Sequence, residues 1–164
     1  MFGVDLFSIG ILNIMKVSVK ATYGILAGLD LALHNGTNPV QSKAIAKRQG
    51  IPIRFLEQVL LAMKKAGVVE SVRGAQGGYL LNKRPADVSF AKIVEALDGS
   101  LMPQLAHATG ARGRQGRSKQ DRLLGVVWEK VRQAELAVFS AVTLKELAER
   151  HREIEQEQAL MYHI

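Results

Sequence analysis

The sequence predicts a mainly α-helical chain with one small β-wing, and three observations carry that prediction. From Ser42 to Lys65, two short helical stretches flank the tight turn Gly50-Ile51-Pro52. A β-branched run at Val68, Val69 and Val72 then leads through a glycine-rich turn into Tyr79-Leu80-Leu81, which is the pattern of a two-stranded hairpin. Further on, Leu124, Val127, Val131, Ala134 and Val138 step by three, four, three and four, a heptad seam along one long helix.

The first residues, Met1 to Ile14, are apolar but shorter than the about 20 residues a membrane-crossing helix needs, and Asp5 and Asn13 interrupt them. No basic segment precedes them, so they do not read as a signal peptide. They are either a misassigned upstream start or an extension that packs on apolar surface. Val19 to Leu33 reads as the first long helix, with Tyr23, Leu26, Ala27, Leu29, Asp30 and Leu33 forming one stripe and Gly36 ending it. His34 fits a helix C-cap or a solvated residue better than a sensor.

In the central helix pair, Ile45, Ala46, Gly50, Leu56 and Val59 carry the packing. Ala46 is small enough for a close crossing, and Gly50 can take the positive φ that ends a helix abruptly. Pro52 suits a helix start, because its missing N–H and fixed φ belong in a first turn. From Ile53 to Lys65 the apolar residues Leu56, Val59, Leu60 and Met63 mark a buried face. Arg54, Glu57, Gln58, Lys64 and Lys65 stand opposite. The wing turn Arg73-Gly74-Ala75-Gln76-Gly77-Gly78 contains three glycines, leaving a backbone able to approach a phosphate or a minor groove. Beyond it, Lys83-Arg84-Pro85 is a basic turn, either along a phosphate backbone or simply solvated. Ser89 N-caps a helix containing Ile93, Val94, Ala96 and Leu97, and Gly99 ends it.

Composition narrows the chemistry. The 164 residues hold 22 Lys+Arg against 15 Asp+Glu, a formal charge of +7 and a pI near 9.9, which favours a polyanionic partner. Cysteine is absent, so disulfides, thiol catalysis and thiolate metal sites are excluded. No paired carboxylates, nucleophile–base set or phosphate-cradling motif occurs at useful spacing, which argues against an enzyme. Residues 100–120 carry Gly110, Gly113 and Gly116 among Arg112, Arg114, Arg117 and Lys119, with no acid before Asp121. That composition reads as a flexible basic loop. Helical signal returns at Asp121, and a seam so regular, flanked by Arg122, Glu129, Lys130, Arg132 and Glu135, reads as an oligomer contact. Thr143 and Glu146 form a capping box for a last short helix from Leu144 to about Arg150, and residues 151–164 read as a charged, fraying tail.

The succession VSVKATYGILAGLDLA, IAKRQGIPIRFLEQVL, KKAGVVESVRGAQGGYLL and IVEALDG resembles the Rrf2 family of bacterial transcription regulators. The match runs from about Met15 to Leu147, and its most specific pieces are FLEQ (Phe55 to Gln58) and SVRGAQGGY (Ser71 to Tyr79). It makes Met15 a plausible start, with residues 1–14 either misassigned or an extension. It implies a winged helix-turn-helix DNA-binding domain over 15–99, a cluster-loop equivalent over 100–120, and a dimerisation helix with a short following helix over 121–150. In better-known members that loop carries three cysteines holding an iron–sulfur cluster, some adding a carboxylate from the first helix. Here the loop offers only His107, and the helix position is Thr22. One imidazole cannot hold a cluster that needs four protein ligands, so no cofactor is expected.

The reading that follows is a homodimeric, cytoplasmic regulator, most simply a repressor, on a pseudo-palindromic operator in double-stranded DNA. Arg54 and Gln58 are expected at base edges, since Arg pairs with guanine and Gln with adenine. Glu57 either accepts from a cytosine amino group or orients Arg54. Phe55 either touches a thymine methyl or packs against the wing. Ser42, Lys43, Lys47 and Arg48 would hold phosphates, with Arg73 and Gln76, on the glycines Gly74, Gly77 and Gly78, in the flanking minor groove. Leu124, Val127, Trp128, Val131, Ala134 and Val138 would form the dimer interface. The competing reading is a winged-helix module that docks a partner protein. The signal sensed, whether small effector, partner protein or none, is left open by the sequence.

Overall fold

The computed structural model describes residues 17–34, 38–99 and 119–161. The leader, the Gly36 stop, the basic loop with His107, and the side chains of Leu124 and Trp128 lie outside the described residues.

Helix α1 (Val19–Leu33) begins where the Ser18 hydroxyl accepts from the Ala21 N–H and ends at His34, as the sequence predicts. Its surroundings differ from the single stripe expected. Ala21, Gly24, Ala27, Gly28, Asp30, Leu31 and Ala32 are all buried, and they occupy more than one face. The helix is central: α3 packs on one side, and α4 and the last helix on another. Glycine makes this possible. A Cβ on Gly24 would overlap Leu97 Cδ1, and one on Gly28 would sit 3.2 Å from both Ile93 Cδ1 and Leu144 Cδ1.

Helices α2 (Ser42–Gln49) and α3 (Ile53–Lys65) meet across Gly50, whose φ of 63° closes α2 in the left-handed region. Pro52 stands at the N-cap of α3, its carbonyl accepting from the Phe55 and Leu56 N–H groups. Ile45, Leu56, Val59, Leu60 and Met63 are fully buried and join the α1 residues in one core. Strands β1 (Val69–Val72) and β2 (Gly78–Leu81) pair antiparallel with Val69 opposite Leu81 and Val72 opposite Gly78. Val40 adds a bridge to Tyr79, its N–H donating to the Tyr79 carbonyl and its own carbonyl accepting from Tyr79, both at 2.9 Å. The wing is thereby tied to the segment entering α2.

A 3-10 turn (Pro85–Asp87) leads to α4 (Phe90–Asp98), capped by Ser89 and closed by Gly99 at φ 82°. Helix α5 spans Lys119–Ala141 and α6 spans Leu144–Met161. Their junction is clamped to the start of α4: Phe90 N–H donates to Val142, Leu144 N–H donates to Val88, and Phe139 is buried against Phe90. Thr143 caps α6 by accepting from the Glu146 N–H at 3.3 Å. Helix α6 is longer than expected. It runs through Met161, because Glu149, Glu153, Glu155, Glu157, Gln158 and Ala159 are good helix formers and Arg150–Glu153 and Lys145–Glu149 pairs support the exposed turns. Among the described residues, no helix is long and apolar enough to cross a membrane.

Candidate nucleic-acid interface

Helix α3 presents two opposed stripes. At 3.6 residues per turn, the core residues Leu56, Val59, Leu60 and Met63 fall on one side. Arg54, Gln58, Leu61 and Lys65, spaced four, three and four, fall diametrically opposite, and all four are exposed. Glu57 and Phe55 flank that outer stripe, both exposed as well. The Phe55 ring meets Tyr23 of α1 edge-on at 6.2 Å, which makes the first helix one of its neighbours. Leu61 was missed by sequence reasoning. An apolar residue one place after the buried Leu60 is easily assigned to the same face, and only its angular position separates it.

Helix α2 contributes Lys43 and Lys47, both exposed, and a half-buried Ser42 in its first turn. Arg48 has a different occupation. Its Nε and Nη2 donate to the two oxygens of Asp30 at 2.9 and 2.6 Å, and Gln49 Nε2 adds a third bond at 3.0 Å. Asp30 is 1% exposed. Burial by itself would raise its carboxyl, but the hydrogen bonds from Arg48 and Gln49, with the charges of Arg48 and His34, outweigh burial and hold it below its ordinary range. His34 closes the same corner: its backbone N–H donates to the Asp30 carbonyl, and its Nδ1 lies 2.8 Å from that oxygen. Arg48 therefore braces α2 on α1, a partnership across 18 positions that no local pattern announces.

The wing separates its glycines by role. A Cβ on Gly77 would overlap the Val72 carbonyl oxygen, and one on Gly78 would lie 2.6 Å from the Val40 carbonyl carbon. The protein's own backbone fills the space beside these two, which is a packing reason for glycine at both positions. Gly74, at φ 118°, has nothing within 4 Å and lies on the exposed tip with Arg73 and Gln76. Lys64 bonds Ser71 Oγ through its Nζ at 2.5 Å and links α3 to β1. In the basic turn, Arg84 is paired with Asp87 at 2.8 Å. Along α5, Val127, Val131 and Val138 are 56%, 51% and 59% exposed, and Ala134 is exposed beside them.

A helix pair with a polar outer stripe and a tied wing defines a winged helix-turn-helix DNA-binding protein. Residues 17–150 match the model of the Rrf2 family, described as an iron-dependent transcriptional regulator, and the chain belongs to that family. It is 37% identical over 134 residues to the HTH-type transcriptional regulator IscR of Photorhabdus laumondii, covering 81% of this chain and 79% of that protein. Among solved structures, IscR of T. potens superposes with a TM-score of 0.71 at 36% identity, over 90% of this chain and 96% of that one. CymR, the global cysteine regulator of B. subtilis, gives a TM-score of 0.68 at 30% identity, over 83% and 98%. The protein is accordingly a DNA-binding transcriptional regulator and not an enzyme.

The iron in the family's description does not fit this donor set. There is no cysteine in the 164 residues. The described residues contain no group of three or more His, Asp or Glu side chains able to hold a metal. Thr22 is turned to its own helix, its hydroxyl donating to the Ser18 carbonyl at 3.1 Å.

Proposed function

We propose that this regulator acts in the cytoplasm as a homodimer on a pseudo-palindromic operator, most simply as a repressor, and without an iron–sulfur cluster. The observation that carries the reading is the outer stripe of α3. Arg54 and Gln58 stand directly opposite the buried face, where side chains of a groove-inserted helix reach base edges. Glu57 and Phe55 border them, with Phe55 steadied by Tyr23. Ser42, Lys43 and Lys47 hold phosphates, whereas Arg48 sets the angle of α2 through Asp30. Arg73 and Gln76, on the open Gly74 tip, enter the flanking minor groove. Leu124, Val127, Trp128, Val131, Ala134 and Val138 pair with a second copy, so that two α3 helices enter grooves about 34 Å apart. A partner protein or small effector would supply the signal.

The test is retention of sheared genomic DNA on the purified protein at near-physiological salt, followed by sequencing. Enrichment of one pseudo-palindrome is the expected result. Uniform retention that vanishes steeply with salt would show only phosphate attraction and would overturn site-specific reading.

A further inference from the structure

We infer that Leu61 is a specificity-determining residue that reads the C5-methyl group of a thymine in the major groove. The inference rests on the DNA-reading function proposed above. Leu61 is 51% exposed and lies diametrically opposite the core stripe, on the line of Arg54, Gln58 and Lys65. That line is otherwise made of groups that hydrogen-bond or carry charge. A leucine there gains nothing from water, whereas a methyl-bearing base edge would cover it.

The chemistry of the groove selects the ligand. Among the features a base pair presents on its major-groove edge, the thymine C5-methyl is the apolar one, and the rest are hydrogen-bond donors and acceptors. An aliphatic side chain can gain from that methyl and from nothing else on the edge. Position follows from helix geometry. Leu61 stands seven residues after Arg54, about 10 Å along the axis at 1.5 Å per residue. At about 3.4 Å per base pair, its thymine lies about three base pairs from the base that Arg54 reads. The net charge of +7 and the basic Lys65 one turn further on suit a polyanion on this face better than an apolar protein partner.

The experiment selects operators from a randomised duplex library with the wild-type protein and with Leu61→Ser. The best wild-type operator is then remade with deoxyuridine replacing each thymine in turn, which deletes the methyl and leaves the hydrogen-bonding edge unchanged. The expected result is one thymine per half-site, about three base pairs from the Arg54-dependent base, whose replacement weakens wild-type binding several-fold. The same replacement should leave Leu61→Ser binding unchanged, and the Leu61→Ser selection should show that position degenerate. Because Leu61 is exposed, the variant should fold normally by circular dichroism. If an operator is selected but no deoxyuridine effect depends on Leu61, or if Leu61→Ser weakens all sequences alike, the inference is overturned while DNA reading stands. If the wild type selects no operator, both fail.

Discussion

The α2–α3–wing unit and the outer face of α5 make opposite use of their apolar residues. In the first, Ile45, Leu56, Val59, Leu60 and Met63 are enclosed by the chain itself, and the side chains left outside are mostly polar. In the second, Val127, Val131 and Val138 stand open along a regular seam. The helix-turn-helix and wing are finished within one chain. The α5 face leaves apolar side chains half in water, each forgoing roughly half of the about 1.5–3 kcal/mol that burying a fully exposed side chain gains. The lesson is that a heptad step identifies a face and says nothing of whether its own chain covers it.

The comparison can be broken most forcefully at α5. Val131→Glu with Val127→Glu should yield a folded monomer, with unchanged helical content but operator affinity lowered by a factor on the order of 10²–10⁴, since the linkage between half-sites is lost. Sedimentation velocity and a binding titration would check it, and retained dimer with full affinity would show that the seam is not the interface. Next in size is Asp30→Ala. It removes the carboxylate that ties Arg48 and Gln49 to α1 and should cost about 2–3 kcal/mol, less than a wholly enclosed pair because Arg48 can reach water. Urea unfolding would measure it.

That same pair carries a pH signature. The folded protein holds the Asp30 carboxyl below its ordinary 3.8, so the unfolded chain takes up the proton first as pH falls. The contribution is present above pH 3.8 and is lost as pH falls through the lowered folded value. The gap in stability between the wild type and Asp30→Ala should therefore narrow below that pH. At the small end, Gly50→Ala should cost about 1 kcal/mol, because only its positive φ resists a Cβ and nothing lies within 4 Å. Gly78→Ala should cost more than Gly50→Ala in the same thermal melts, since its Cβ meets the Val40 backbone as well.

Much of this was legible because it is local. The limits of α1 and α3 follow from caps and apolar spacing, and Ser89, Thr143, Gly50 and Pro52 stand where their chemistry put them. What escaped was set by distant partners. The tie of Arg48 to Asp30 had no local signal because its anchor is on another helix. Gly24 and Gly28 gave no signal, since α4 and α6 arrive from far along the chain. The extra turns of α6 were available in its helix formers, but a charged terminal segment reads as a fraying tail. Leu61 was hidden by its neighbour Leu60, one buried and one half-open on consecutive positions.

The central claim is that the outer stripe of α3 reads sequence, and Arg54→Ala tests it most directly. Wild-type and variant proteins would be titrated against the selected operator and every single-base substitution of it. The account predicts a loss of about 1–3 kcal/mol on the operator and equal tolerance of all four bases at one position per half-site. Lys47→Ala would serve as the contrast, weakening every sequence alike. If Arg54→Ala also lowered every sequence by the same factor, Arg54 would be one more phosphate contact, and the assignment of α3 as the reading helix would be contradicted.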